Sequence, residues 1–130
     1  MLLETYITEM NQDLKVDAFN IKEVQLRLPA IKHKWVGRGV RHKLELMALQ
    51  KSRDTKKKEM ITKVLAQSPV KISEFAAEKT VNDGETIKEI DAKIQDLKLV
   101  IELLEKSEKT FSSMTYDIKN IIELQKLEQL

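Results

Sequence analysis

Six aliphatic residues late in the chain, Ile87, Ile90, Ile94, Leu97, Ile101 and Leu104, follow one another at alternating intervals of three and four. That alternation averages 3.5 residues and lays the six side chains along one seam of a helix. A seam of this length has to be covered, so the region is expected to be a long helix packed against other helices. Leu99, Val100 and Leu103 widen the apolar face beyond a two-stranded seam, which suits contact with more than one neighbour. The pattern weakens at residues 110–113 and resumes at Met114, Ile118, Ile121, Ile122 and Leu124. Residues 85–130 can form one helix or two. A single one would be about 69 Å long at ~1.5 Å per residue, too long for the core of one small protomer. The seam is therefore read as an assembly surface, with Ile87, Ile90, Ile94, Leu97, Ile101, Leu104, Ile118 and Ile122 as the oligomerisation residues.

Upstream, the breaks are few. The chain of 130 residues has only three glycines and two prolines, and helix formers dominate it. Leu3, Tyr6, Ile7, Met10 and Leu14 predict a short amphipathic helix over 3–14. Asp17 can cap the next segment, where Ile21, Val24 and Leu28 form a stripe that Pro29 should end. A long helix then runs from about Ala30 to Ala66. A kink or loop is expected near Gly37 and Gly39, each of which costs about 1 kcal/mol inside a helix. Ser68-Pro69 closes this element, residues 70–81 are ambiguous, and Asn82-Asp83-Gly84 is a turn. Thr86 with Glu89 reads as a capping box opening the last helix. Aromatics make up only 5% of the chain against 34% charged residues, so the core of one copy is thin and burial between copies is the natural remedy.

Net charge, only +2 overall, hides a strong segregation. Residues 1–31 hold three basic and five acidic residues, and residues 64–130 hold nine and thirteen. Residues 32–63 hold eleven basic and three acidic residues, a balance of +8. Within this stretch, residues 50–59 (QKSRDTKKKE) contain no apolar side chain, so a helix there faces water or a ligand. Phosphates are the ligand such a segment fits, because each Lys or Arg contact releases condensed counterions. The candidate DNA-binding residues are Lys51, Arg53, Lys56, Lys57, Lys58 and Lys63, with Lys34, Trp35, Arg38, Arg41 and Lys43 upstream. A solvated helix face is the competing reading. Trp35 could stack on a base, yet it also lies four residues after Ile31, where a core position is favoured.

Other chemistries find no support. There is no cysteine, hence no disulfide or thiolate metal site. His33 and His42 lack a third ligand nearby and are read as solvated members of the basic patch. No phosphate-binding glycine loop, nucleophile elbow or paired-histidine motif occurs, so neither an enzyme nor a cofactor or metal is expected. No apolar run approaches the ~20 residues of a membrane span. The start, Met1-Leu2-Leu3-Glu4, is unlike a signal peptide, which predicts a soluble, cytoplasmic chain.

Three stretches, in this order and spacing, carry a resemblance. Residues 3–17 (LETYITEMNQDLKVD), residues 31–35 (IKHKW) followed by the Lys-rich segment, and residues 116–128 (YDIKNIIELQKLE) together resemble the UvsY-type recombination mediators of T-even-like phages. The resemblance covers nearly the whole chain, and the Ile-Lys-X-Ile at Ile118–Ile121 is its most specific part. It implies a non-enzymatic protein that binds single-stranded DNA, loosens the phage single-strand-binding protein and helps the phage recombinase load. It also implies a ring-like homo-oligomer of about six or seven subunits, working in the cytoplasm of the infected bacterial host. The family's basic motif pairs a lysine with an arginine two residues later. Lys58 matches the lysine, and Met60 stands where the arginine would be. Where the family continues with Tyr-Tyr-X-Gly, this chain has Val64-Leu65-Ala66-Gln67.

The expected protomer is all-α and elongated, with a long coiled-coil-like C-terminal helix in a ring-like homo-oligomer. It forms a single helical domain over 1–130: N-terminal helices with the basic helix over 1–68, a connector over 69–84, and assembly helix or helices over 85–130. A coiled-coil scaffold or adaptor without nucleic-acid function, and a basic helix reading the major groove of duplex DNA, are the alternatives.

Overall fold

A computed structural model describes residues 1–129. Four helices follow one another: α1 (Leu2–Asp13), α2 (Ile21–Gln67), α3 (Glu74–Asn82) and α4 (Glu85–Glu128). Among the described residues there is no strand. Two compact units form from them: residues 1–41 with 99–130, and residues 42–98.

The boundaries follow from local chemistry. Between α1 and α2 the side chains of Asp17 and Asn20 answer each other. Asp17 Oδ1 accepts the amides of Phe19 and Asn20 at 2.7 and 2.9 Å, and Asn20 Oδ1 accepts the Asp17 amide at 2.7 Å. This closed turn starts α2 at Ile21. The ambiguous stretch after Pro69 resolves as α3, whose N-cap Ser73 accepts the Ala76 amide at 3.1 Å. Gly84 separates α3 from α4: a Cβ here would lie 3.3 Å from the Val81 carbonyl oxygen, tight enough to favour glycine. Gly84 then accepts the Lys88 amide, so α4 opens at Glu85. The expected capping box at Thr86 and Glu89 lies inside the helix instead.

Two expected interruptions are absent. Helix α2 runs unbroken through Pro29 and through Gly37 and Gly39. Pro29 removes one amide, but the Gln25 carbonyl it would have served belongs to an exposed residue that water can satisfy. Leu28, Ile31 and Trp35 are all buried on the inward face. Burial of that face outweighs the ~1 kcal/mol each glycine costs. Helix α4 is likewise a single helix, because Phe111 and Met114 fill core positions through the stretch where the polar residues weaken the pattern.

In the first unit, α1, the start of α2 and the end of α4 share one core. Tyr6, Met10, Leu28, Ile31, Trp35, Leu104, Phe111 and Ile118 are among its members. The Trp35 ring meets Tyr6 edge-on at 5.3 Å and stacks on Phe111 at 6.4 Å. Lys32 reaches Thr115, and a Cβ at Gly39 would lie 3.9 Å from Leu104 Cβ, so positions rise along α2 as they fall along α4. These segments are antiparallel. In the second unit Ala77 and Val81 of α3 and Ile87 and Ile94 of α4 are buried. No described helix is long and apolar enough to cross a membrane.

Much of the heptad seam is covered within the single chain. Ile87, Ile94, Ile101, Leu104 and Ile118 are each at most 8% exposed within the single chain. Ile90, Leu97 and Ile122 are half-buried. Within one chain Leu104 and Ile118 share the first unit's core with side chains of α1 and α2. The apolar side chains that α4 leaves outward are others: Leu99, Tyr116, Leu124 and Leu127 are each more than half exposed.

Candidate nucleic-acid interface

The basic stretch lies wholly on α2, but its residues meet different fates. In the first unit Trp35 is 2% exposed, and its indole Nε1 donates to Asp13 at 2.8 Å. Its ring is enclosed and has no face to offer a base. Lys34 bridges Glu9 at 3.2 Å and Asp13 at 2.6 Å. Arg38 donates to Glu9 and lies over the rings of both Tyr6 and Trp35, at 5.1 and 4.7 Å. The Arg38 hydrogen bond, followed by Lys34, holds the Glu9 carboxyl below the usual carboxylate range against the opposing pull of burial. These two cations therefore close the unit on itself. Arg41 and Lys43 are exposed.

In the second unit the same division recurs within one stretch. Arg53 meets Asp91 of α4 through both Nε and Nη2, the fork matching the carboxylate. That bond holds the Asp91 carboxyl below its ordinary value and pushes the Arg53 guanidinium up, in each case against desolvation. Lys57 donates to Glu78 of α3 at 2.9 Å. Four residues apart, Arg53 and Lys57 share the inward face of α2. The intervening and flanking lysines, Lys51, Lys56, Lys58 and Lys63, are exposed and form no ion pair among the described residues. They stand over the sides and back of the helix, where an extended polyanion could reach them.

His33 is exposed, whereas His42, expected on the solvated patch, is 6% exposed with its ring 3.1 Å from Glu45. Among the described residues no group of acidic, histidine or cysteine side chains is placed to hold a metal. The internal acids that claim Lys34, Arg38, Arg53 and Lys57 have no sequence signature. Glu9, Asp13, Glu78 and Asp91 lie between 21 and 38 residues from their partners.

Two groove-like depressions flank the basic stretch of the second unit. One, about 560 Å³, lies beside the Arg53–Asp91 pair and is lined also by Gln50, Asp54 and Lys98. The other, about 410 Å³, is lined by Lys56, Lys63, Met60 and Val64 among others. Sequence reading passed over Met60 and Val64 because apolar residues at helical spacing look like ordinary core.

No curated protein matches the sequence. The fold, however, matches the crystal structure of the bacteriophage T4 recombination mediator protein UvsY, with a TM-score of 0.82 over 98% of this chain and 99% of that one. At 14% identity this is a likeness of fold. A family model described as "Recombination, repair and ssDNA binding protein UvsY" matches residues 9–129. With nearly the whole chain inside that match, this all-α protein belongs to the UvsY family of recombination, repair and single-stranded-DNA-binding proteins.

Proposed function

We propose that this chain is a non-enzymatic recombination mediator: it binds single-stranded DNA, loosens the single-strand-binding protein covering it, and promotes loading of a recombinase filament in the host cytoplasm. The observation that carries the reading is the set of four lysines, Lys51, Lys56, Lys58 and Lys63, left exposed and without acidic partners on the stretch of α2 where Arg53 and Lys57 are paired internally. Apart from the paired Arg53 and Lys57, the charges between 50 and 59 are exposed on a stretch without apolar residues and are available to a ligand. Phosphate contacts by lysine are tolerant of sequence, as a mediator acting on any exposed strand requires.

Assembly belongs to the same reading. A homo-oligomer would repeat the basic helix, and the effective concentration of linked sites would turn weak contacts into useful avidity. We place contact between copies on apolar surface α4 leaves open: Leu124 and Leu127 near its end and the half-buried seam residues Ile90, Leu97 and Ile122.

Fluorescence anisotropy with single- and double-stranded oligonucleotides over a salt series tests the reading. Single strands should bind more tightly, with log affinity falling by about 0.7 per phosphate neutralised for each unit of log salt. A flat salt response would leave only a scaffold role, and a preference for duplex would favour a major-groove helix.

A further inference from the structure

The smaller groove of the second unit has a composition that the charge pattern alone does not explain. Lys56, Met60, Lys63 and Gln67 follow one another at intervals of four, three and four, so they share one face of α2. They wall the groove of about 410 Å³ together with Val64 and Thr86. Met60 and Val64 are half-buried, which leaves apolar surface in its floor open to water. The two lysines are two helical turns or ~10.5 Å apart along α2, Lys56 about one turn before Met60 and Lys63 between Met60 and Val64. Their aliphatic stems can lie along it while the ammonium groups stay at the rim. Glu59 also faces the groove and cancels one of the two positive charges, so the site is not simply an electrostatic trap.

An apolar floor with two cations along the same helix face, ~10.5 Å apart, matches the chemistry of one unstacked nucleotide. The base is a flat, largely apolar face, and a phosphate lies on each side of it along the strand. The volume lies near the low end of the range for sites taking single small ligands, too small to accommodate a helix of a partner protein. Gln67, with an amide that both donates and accepts, closes one end where a base edge would lie. In duplex DNA the base faces are stacked on one another and cannot enter.

We infer that this groove seats one base of a single strand on Met60 and Val64, with the flanking phosphates on Lys56 and Lys63. The inference rests on the single-strand-binding reading above and adds a reason for preferring single strands to duplex: the groove takes a base face, not only charge. Lys51 and Lys58, outside the groove, then serve the backbone alone.

The test compares anisotropy of the full chain with an oligo-thymidylate and with an oligonucleotide of equal length made of abasic sites, over a salt series. Phosphates are identical in the two, so electrostatics cancels. The thymidylate strand should bind roughly tenfold more tightly, the scale expected for covering a modest apolar face. Met60→Ala should remove most of that preference while leaving the salt slope as it is, with circular dichroism showing an intact helix. Lys56→Ala and Lys63→Ala should each flatten the slope by about 0.7 on both oligonucleotides. Equal binding of the two oligonucleotides by the unaltered chain overturns the base seat and leaves single-strand binding standing. So does a Met60→Ala chain that keeps the full preference. Binding to neither oligonucleotide overturns the single-strand reading itself. The comparison on the unaltered chain holds even if a variant fails to fold.

Discussion

Lys34 and Arg38 in the first unit, and Lys51, Lys56, Lys58 and Lys63 in the second, come from one uninterrupted helix and one continuous run of basic sequence. Their surroundings separate them. The first unit has a large aromatic core, and acids on α1 reach across to its cations. Its charges are structural, stacked on rings and hydrogen-bonded. The second unit buries smaller side chains, pairs Arg53 and Lys57 with acids of α4 and α3, and leaves Lys51, Lys56, Lys58 and Lys63 of α2 to solvent. Equal charge density therefore supports two outcomes, and what decides between them is whether a carboxylate stands opposite in the fold. Basic clusters read from sequence overcount binding residues wherever such acids exist.

The contrast can be broken most severely in the first unit. Trp35→Ala removes a ring that touches Tyr6 and Phe111 and leaves the Asp13 carboxylate without its indole donor. It should cost about 3–5 kcal/mol, read as a drop in urea midpoint. If the loss is small and DNA affinity falls instead, Trp35 is a binding residue and the division is wrong.

Ile94→Asp is next. The side chain is 6% exposed within one chain, so a carboxylate there loses hydration with no partner. The expected result is loss of helicity and of cooperative unfolding in the protomer, of several kcal/mol in scale. A variant that stays fully helical and merely runs smaller in sedimentation would restore the seam to a contact between copies.

A smaller effect distinguishes the paired from the unpaired cations by pH. Glu9 and Asp91 are held below their ordinary values by Arg38 and Arg53. Carboxyls depressed in the folded state contribute stability that is fully present above their unfolded values, near pH 4, and lost as pH falls through the folded ones. Unfolding midpoints should therefore decline below about pH 4, and Asp91→Asn should lower the neutral-pH midpoint while flattening that decline. An Asp91→Asn profile parallel to that of the unaltered chain would remove the ion pair from the account.

The least effect on stability, and a clear one on binding, is expected from Lys51→Ala with Lys58→Ala. Both are exposed and unpaired, so stability should change by less than about 0.5 kcal/mol. Losing two phosphate contacts should flatten the salt slope for single strands by about 1.4. An unchanged slope would place the strand on other residues, Arg41 first.

Sequence by itself determined a good deal. The alternation of three and four from Ile87 to Leu104 requires a helix with a covered face, because no other backbone brings those positions together. The break at Asp83-Gly84 was legible from its local chemistry, whereas Asp17, expected as a helix cap, closes the turn before α2 with Asn20. The helical character of residues 50–59 was legible too, although Arg53 and Lys57 meet Asp91 and Glu78 where only solvent or a ligand was expected to face them. What covers the seam was not legible. A heptad pattern states that an apolar stripe is buried, and not whether the burying surface is another copy or the same chain folded back. The continuity of α2 through Pro29, Gly37 and Gly39 was hidden for a related reason: local propensity costs about 1 to 3 kcal/mol at such positions, and only the buried faces of Leu28, Ile31 and Trp35 outweigh it. The sorting of cations was decided entirely by tertiary structure. Arg53 and Lys58 are alike in sequence context, and only Asp91, brought 38 residues back along the chain to the inward face of α2, makes one a strut and leaves the other free for phosphate.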